Sequence, residues 1–265
     1  MRGRVLIVAG SDSGGGAGIQ ADIKAVTMLD GFAATAITAL TAQNTEGVFG
    51  ILPIAPDFIR QQMNVVLDDI GADAVKTGML HDTAVIETVA AVLAERDPIP
   101  LVVDPVMVAK GGAKLIEDSA IDALKRLLAV RAAVLTPNLP EAEILCGRAI
   151  DTVDAMKSAA ETLLRLGCGA VLLKGGHLPG DTLTDVLATA AGFRTWESRR
   201  IDTRHTHGTG CTLASAIAAG IAQGLSIEDA VHRARDYVMR AILGAPGLGR
   251  GHGPLDHAHP LRPAG

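Results

Sequence analysis

Short apolar runs alternate with longer amphipathic stretches along most of this chain, and nearly every apolar run stops at a polar group. Residues 5–9, 33–40, 74–76, 101–103, 133–136 and 170–174 read as strands, most of them too apolar to leave a wet face. Helices are expected at 17–29, 56–70, 83–95, 120–128, 140–146 and 153–166. Repeated strand–helix–strand order calls for a mainly parallel sheet with right-handed crossovers. Apolar residues make up 48% of the chain but aromatics only 2%, so the core must be built from Val, Ile, Leu and Ala. That supply suits parallel strands covered by helices on both faces, an α/β/α arrangement in three layers. After Lys174 the pattern changes: residues 183–187 and 193–201, joined through Ala191-Gly192, read as an antiparallel edge hairpin, followed by helices at 212–224 and 227–242. The tail from about 244 is rich in Gly, Pro and His and is expected to be irregular. With no linker or repeat in view, residues 1–265 read as one domain.

A formal net charge of −5 and the lack of a dense Lys/Arg tract argue against nucleic acid or an anionic membrane as partner. The first apolar run is too short for a signal segment or a spanning helix. Cys146, Cys168 and Cys211 lie far apart without metal-ligand spacing, which fits a reduced cytoplasmic setting.

In an open parallel sheet, ligands sit beyond the carboxyl ends of the strands, and the polar interruptions of this sequence fall there. Thr206-His207-Gly208-Thr209-Gly210-Cys211-Thr212 opens a small-residue helix. Glycines there let amides turn inward, and the helix dipole adds positive potential, which together suit a phosphate or a transferring phosphoryl group. Cys211, at the mouth of that helix, is expected to have a depressed thiol pKa and to serve as a proton acceptor. Gly10 to Gly18 forms a second Gly-rich loop, without the ending of a P-loop. Asp22, in the helix after it, reads either as a substrate contact or as an exposed helical acid. Asp104 follows the strand at 101–103, where it either turns the chain or meets a metal or hydroxyl. Glu141 follows Asn138 by three residues, as in a helix cap; if it converges with Asp104, the two carboxylates could hold Mg²⁺ largely through water. Lys174 before Gly175-Gly176 suits a nucleotide's phosphate tail. His205 and His207 lack a third ligand at useful spacing, which weighs against a metal there. Lys110-Gly111-Gly112 reads as a turn that could form a lid.

Taken together, these motifs resemble the hydroxymethylpyrimidine/phosphomethylpyrimidine kinases of thiamine biosynthesis. The resemblance runs through residues 9–22, Thr41-Ala42-Gln43-Asn44-Thr45, Asp104-Pro105-Val106-Met107, residues 136–141, residues 173–177, residues 206–212 and Gly251-His252-Gly253-Pro254-Leu255. It implies a ribokinase-like fold, ATP with Mg²⁺, and two successive phosphorylations of 4-amino-5-hydroxymethyl-2-methylpyrimidine. It further implies that Gln43 pairs with the pyrimidine edge, that Asp22 and Gly10 lie near the substrate, and that Met79 and Val106 pack on the ring. Asp104 and Glu141 would organise the metal, Lys174 would contact ATP phosphates, Gly208, Thr209 and Gly210 would form the anion hole, and Cys211 would act as base. Pyridoxal kinases are the nearest competitors, although the stretch 108–112 carries no lid thiol. A non-catalytic vitamin- or nucleotide-binding protein is the alternative of another class. A homodimer is the expected assembly. No fused synthase domain is expected, since only a short tail follows the last motif.

Overall fold

The computed structural model describes residues 2–108 and 115–262. The strands are β1 (Arg4–Asp12), β2 (Phe32–Gln43), β3 (Val48–Pro53), β4 (Ala74–Thr77), β5 (Leu101–Val103), β6 (Val134–Leu135), β7 (Ala170–Leu173), β8 (Thr182–Thr189) and β9 (Gly192–Arg199). Among the described residues they form one nine-stranded sheet in the order β3-β2-β1-β4-β5-β6-β7-β8-β9. Strands β2 to β7 of that order run parallel to one another. The predicted hairpin β8–β9 is antiparallel and lies at one edge. The other edge holds β3, antiparallel to β2, which the sequence pattern had not marked. Gly50 and Pro53 break its apolar run, and an edge strand tolerates both because one side of its backbone needs no partner.

The helices are α1 (Gly18–Met28), α2 (Pro56–Asp69), α3 (Thr83–Ala94), α4 (Asp118–Ala123), α5 (Leu139–Cys146), α6 (Val153–Leu164), α7 (Thr209–Ala222) and α8 (Ile227–Leu243). Successive strand residues face opposite layers. Leu6, Val8, Val75, Val103, Leu135 and Val171 pack with α2, α3, α5 and α6. Val5, Ile7, Val102, Val134 and Leu172 pack with α1, α7 and α8. This two-sided burial is why the strands read as unbroken apolar runs. The helix expected at 120–128 is α4 followed by a π-helical turn, Leu124–Leu128. The expected lid turn, Lys110-Gly111-Gly112, lies outside the described residues, as does the stretch 108–112 apart from Val108.

The irregular tail does not hang free. The amide of His252 donates to the Thr45 carbonyl at 2.7 Å, and the Tyr237 hydroxyl donates to the carbonyl of buried His257 at 2.8 Å. Among the described residues no helix is long and apolar enough to cross a membrane.

A buried ion pair fixes the hairpin to the helix layer. Arg235 Nε of α8 donates to Asp185 Oδ2 of β8 at 2.8 Å, while Asp185 Oδ1 accepts the Gly175 amide at 2.9 Å. Truncating Arg235 to Ala leaves the Asp185 carboxylate buried without its countercharge, and we expect a loss of about 3–5 kcal/mol in chemical denaturation. A loss below about 1 kcal/mol, as for an exposed pair, would contradict this placement.

Candidate active site

The anion cradle begins earlier than its sequence suggests. Helix α7 starts at Thr209, with Gly208 as its N-cap in the left-handed region at φ 81°, so Cys211 is the third helical residue rather than the first outside it. A Cβ on Gly208 would sit 1.8 Å from the Gly16 carbonyl oxygen, so only glycine lets the two Gly-rich loops approach this closely. Thr209 Oγ1 donates to the Thr206 carbonyl at 2.7 Å and holds the turn. A Cβ on Gly210 would stand 3.3 Å from Lys174 Nζ and 3.8 Å from Asp104 Oδ2, which places the helix entrance directly against those two charges.

The strand ends supply the charges. Asp104 follows β5 and is buried; its Oδ1 accepts from Lys174 Nζ at 3.1 Å and from Thr136 Oγ1 at 3.3 Å. Glu141 forms a capping box at the start of α5, taking the Asn138 amide on Oε2 at 2.8 Å while its own amide donates to Asn138 Oδ1 at 2.9 Å. Burial, opposed by Lys174 and reinforced by the negative Asp104, pushes the Glu141 carboxyl up to about 7. Burial also works against the Lys174 charge, but Asp104 and Glu141 outweigh it and hold that ammonium above its ordinary value. Two hard carboxylates, one of them short of positive charge, suit a divalent cation that keeps most of its water. The described residues include no cluster of three or more His, Cys, Asp or Glu that could hold a metal by themselves.

Two expectations fail here. Burial pushes the Cys211 thiol up to about 12; Lys76 and an amide hydrogen bond from Gly18 favour the thiolate, while Asp22 and Asp104 oppose it. Desolvation thus defeats the helix dipole, and Cys211 is a neutral thiol near pH 7. Asp22 is neither exposed nor part of the cleft lining. Its Oδ2 and Oδ1 accept from Lys76 Nζ at 2.8 and 3.0 Å, and Oδ1 also accepts from Ser215 Oγ at 2.7 Å, all fully buried. In the sequence Lys76 was legible only as the last residue of a strand; a lysine closing an otherwise apolar run was the available signal. Burial disfavours its charge, but Asp22, Cys211 and Asp104 keep it protonated above the usual lysine range. His207 Nε2 lies 2.8 Å from Asp12 Oδ2, which gives that ring nitrogen a partner within the protein.

All the other predicted residues line one cleft of about 910 Å³. Gly10, Gln43, Met79 and Val106 line it together with Lys174, Asp104, Glu141 and residues 208–211; a Cβ on Gly10 would stand 3.3 Å from the Met79 sulfur. Ile201, Met239 and Ile242 extend an apolar wall. A small polar ring and a polyphosphate can therefore meet over α7.

A family model described as phosphomethylpyrimidine kinase matches residues 12–256. The chain belongs to this kinase family. It is 49% identical over 255 residues to the hydroxymethylpyrimidine/phosphomethylpyrimidine kinase of Bacillus subtilis, covering 96% of this chain and 94% of that protein. It is 52% identical over 256 residues to a thiamine biosynthesis bifunctional protein of Geobacter sulfurreducens; the match takes in 97% of this chain but 52% of that protein, so the chain spans about half its length. Among solved structures, an ADP complex of Bacillus subtilis pyridoxal kinase aligns with a TM-score of 0.91 at 38% identity, over 97% of this chain and 98% of that one. Phosphomethylpyrimidine kinase from Clostridium difficile aligns with a TM-score of 0.81 at 40% identity, over 90% and 99%. The phosphomethylpyrimidine kinase fold seen here is thus the ribokinase-like one, and the chain is a kinase.

The Asp22–Lys76 pair predicts how the kinase responds to Asp22→Asn. Removing the countercharge should cost about 3–5 kcal/mol of stability near pH 7. Burial would then favour neutral Lys76, so the unfolded chain binds more protons and the variant regains stability as pH rises toward about 9. A variant of full stability with a raised substrate KM would instead restore Asp22 as a substrate contact.

Proposed function

We propose that this chain, as a single ribokinase-like domain, phosphorylates 4-amino-5-hydroxymethyl-2-methylpyrimidine with ATP and then phosphorylates the monophosphate to the diphosphate. The observation that carries the reading is the meeting of Lys174, Asp104 and the α7 entrance in the same cleft as Gln43 and Met79. The names of the relatives support the thiamine assignment. The amide of Gln43 offers a donor and an acceptor to an aminopyrimidine edge, and Met79 and Val106 pack on the ring. Lys174 holds phosphate charge, and the first amides of α7 face the charge that builds during transfer. Asp104 and Glu141 are the residues that would hold Mg²⁺. When bound there, it would supply positive charge to offset that of the phosphates.

The first step needs a route for the alcohol proton. A neutral Cys211 thiol supplies one by relay: sulfur accepts the hydroxyl proton while its own proton passes to an oxygen of the transferring phosphoryl group. The alcohol oxygen bonds to phosphorus and ADP leaves. The second step needs no relay, because a phosphate oxygen with a pKa of about 6 is already largely ionised. The same reading carries a cytoplasmic homodimer, for which exposed Phe49 and Leu52 on β3 offer an apolar pairing surface.

Pyridoxal is the competing substrate, favoured by the high structural similarity to pyridoxal kinases. Specificity constants for ATP-dependent phosphorylation of the two alcohols, measured side by side, decide between them. Absence of product from both would point to a non-catalytic binding protein.

Cys211→Ala should slow the first phosphorylation about 10²-fold or more, with little change in the second, and Cys211→Ser should recover much of the loss. First-step kcat of the unaltered enzyme should stay nearly flat between about pH 7 and 9; a rise of about tenfold per unit would show that a thiolate is required. Gln43→Ala should raise the KM for the pyrimidine about 5- to 150-fold, the equivalent of about 1–3 kcal/mol for a lost hydrogen-bond partner. A comparable rise in the KM for ATP would place Gln43 elsewhere.

A further inference from the structure

The two Gly-rich loops meet through one side-chain pair. Asp12, at the end of β1, is buried and gathers its own loop: Oδ1 accepts the Gly14 amide at 2.7 Å, and Oδ2 accepts those of Gly16 at 3.0 Å and Ala17 at 2.8 Å. The remaining approach to Oδ2 is taken by His207 Nε2 at 2.8 Å, from the loop that opens α7. Burial opposes the Asp12 charge, but His207, the Gln43 side chain and the Ala17 amide outweigh it and bring the carboxyl down to about 2. Asp12 is therefore an acceptor only, and His207 Nε2 carries the proton between them. The ring has no slack. A Cβ on Gly16 would stand 2.5 Å from His207 Cδ2, and the His207 backbone is held from the far side by its amide's bond to the Gly253 carbonyl at 3.2 Å. Ser13 adds a tie to the pyrimidine end, donating to the Gln43 carbonyl at 2.9 Å.

We infer that His207 is a positioning residue which, through Asp12, fixes the distance between the loop framing the alcohol and the loop cradling the phosphoryl group. This rests on the kinase reading above. His207 need not touch either substrate. Its contribution is geometric, since displacing two reactants by about 1 Å can cost 10²-fold in rate while each still binds.

The test compares His207→Ala, His207→Gln and His207→Asn with the unaltered enzyme, in steady-state assays of both steps and in thermal unfolding. A Gln amide can reach the place of Nε2; an Asn amide stops short of it. We expect His207→Ala to lower kcat about 10- to 100-fold in both steps, with both KM values within about threefold. His207→Gln should return kcat to within about fivefold of the unaltered enzyme, and His207→Asn should not. Should the Ala protein fail to fold, the Gln and Asn variants decide. Unchanged kcat in His207→Ala, equal activity of Gln and Asn, or a loss confined to KM would overturn the inference. Absence of turnover in the unaltered enzyme would overturn the kinase reading instead.

Discussion

Because helices cover both faces of the sheet's central strands, those strands can carry polar side chains safely only at their tips. A charge within a strand must bring its partner from another layer. Lys76 shows the cost: it is fully buried and is neutralised by Asp22 on α1, with Ser215 on α7 taking the remaining approach. At the tips the same chemistry becomes useful. Asp104 after β5, the capping acid Glu141 in the segment after β6 and Lys174 after β7 stand in one cleft beside the entrance of α7.

The charges at this floor are balanced before any ligand arrives. Lys76 answers Asp22 and Lys174 answers Asp104, while Glu141, at about 7, sits between its two forms. Phosphates entering the cleft would meet Lys174 already paired with Asp104. Cys211 lies among these groups with its thiol pushed up to about 12 by burial, which suits the proton relay proposed above rather than a stored negative charge.

The rim was legible in the sequence because it depends on local order: apolar run, polar stop, glycine, helix. Gly10, Gln43, Met79, Asp104, Glu141, Lys174 and residues 208–211 all reach the cleft that this order implies. What could not be read depends on contacts across the chain. Asp22 was visible as a helical carboxylate, but its partner lies 54 residues away. His207 was weighed as a metal ligand, and its partner lies 195 residues away. The thiol pKa of Cys211 turns on how many protein atoms replace water around sulfur, which a helix position does not specify. Strand β3 was hidden for a simpler reason: Gly50 and Pro53 carry turn signals, and only an unpaired edge makes them acceptable.

The tail has a consequence for when the site exists. Gly253 and His252 hold His207 and Thr45, so loops contributed by the first and fourth fifths of the chain are brought into register by the segment that follows α8. During synthesis the sheet can collapse well before those residues leave the ribosome. The nascent chain would then hold a paired sheet but an unassembled cleft, whose loops are tied only when the segment after α8 docks.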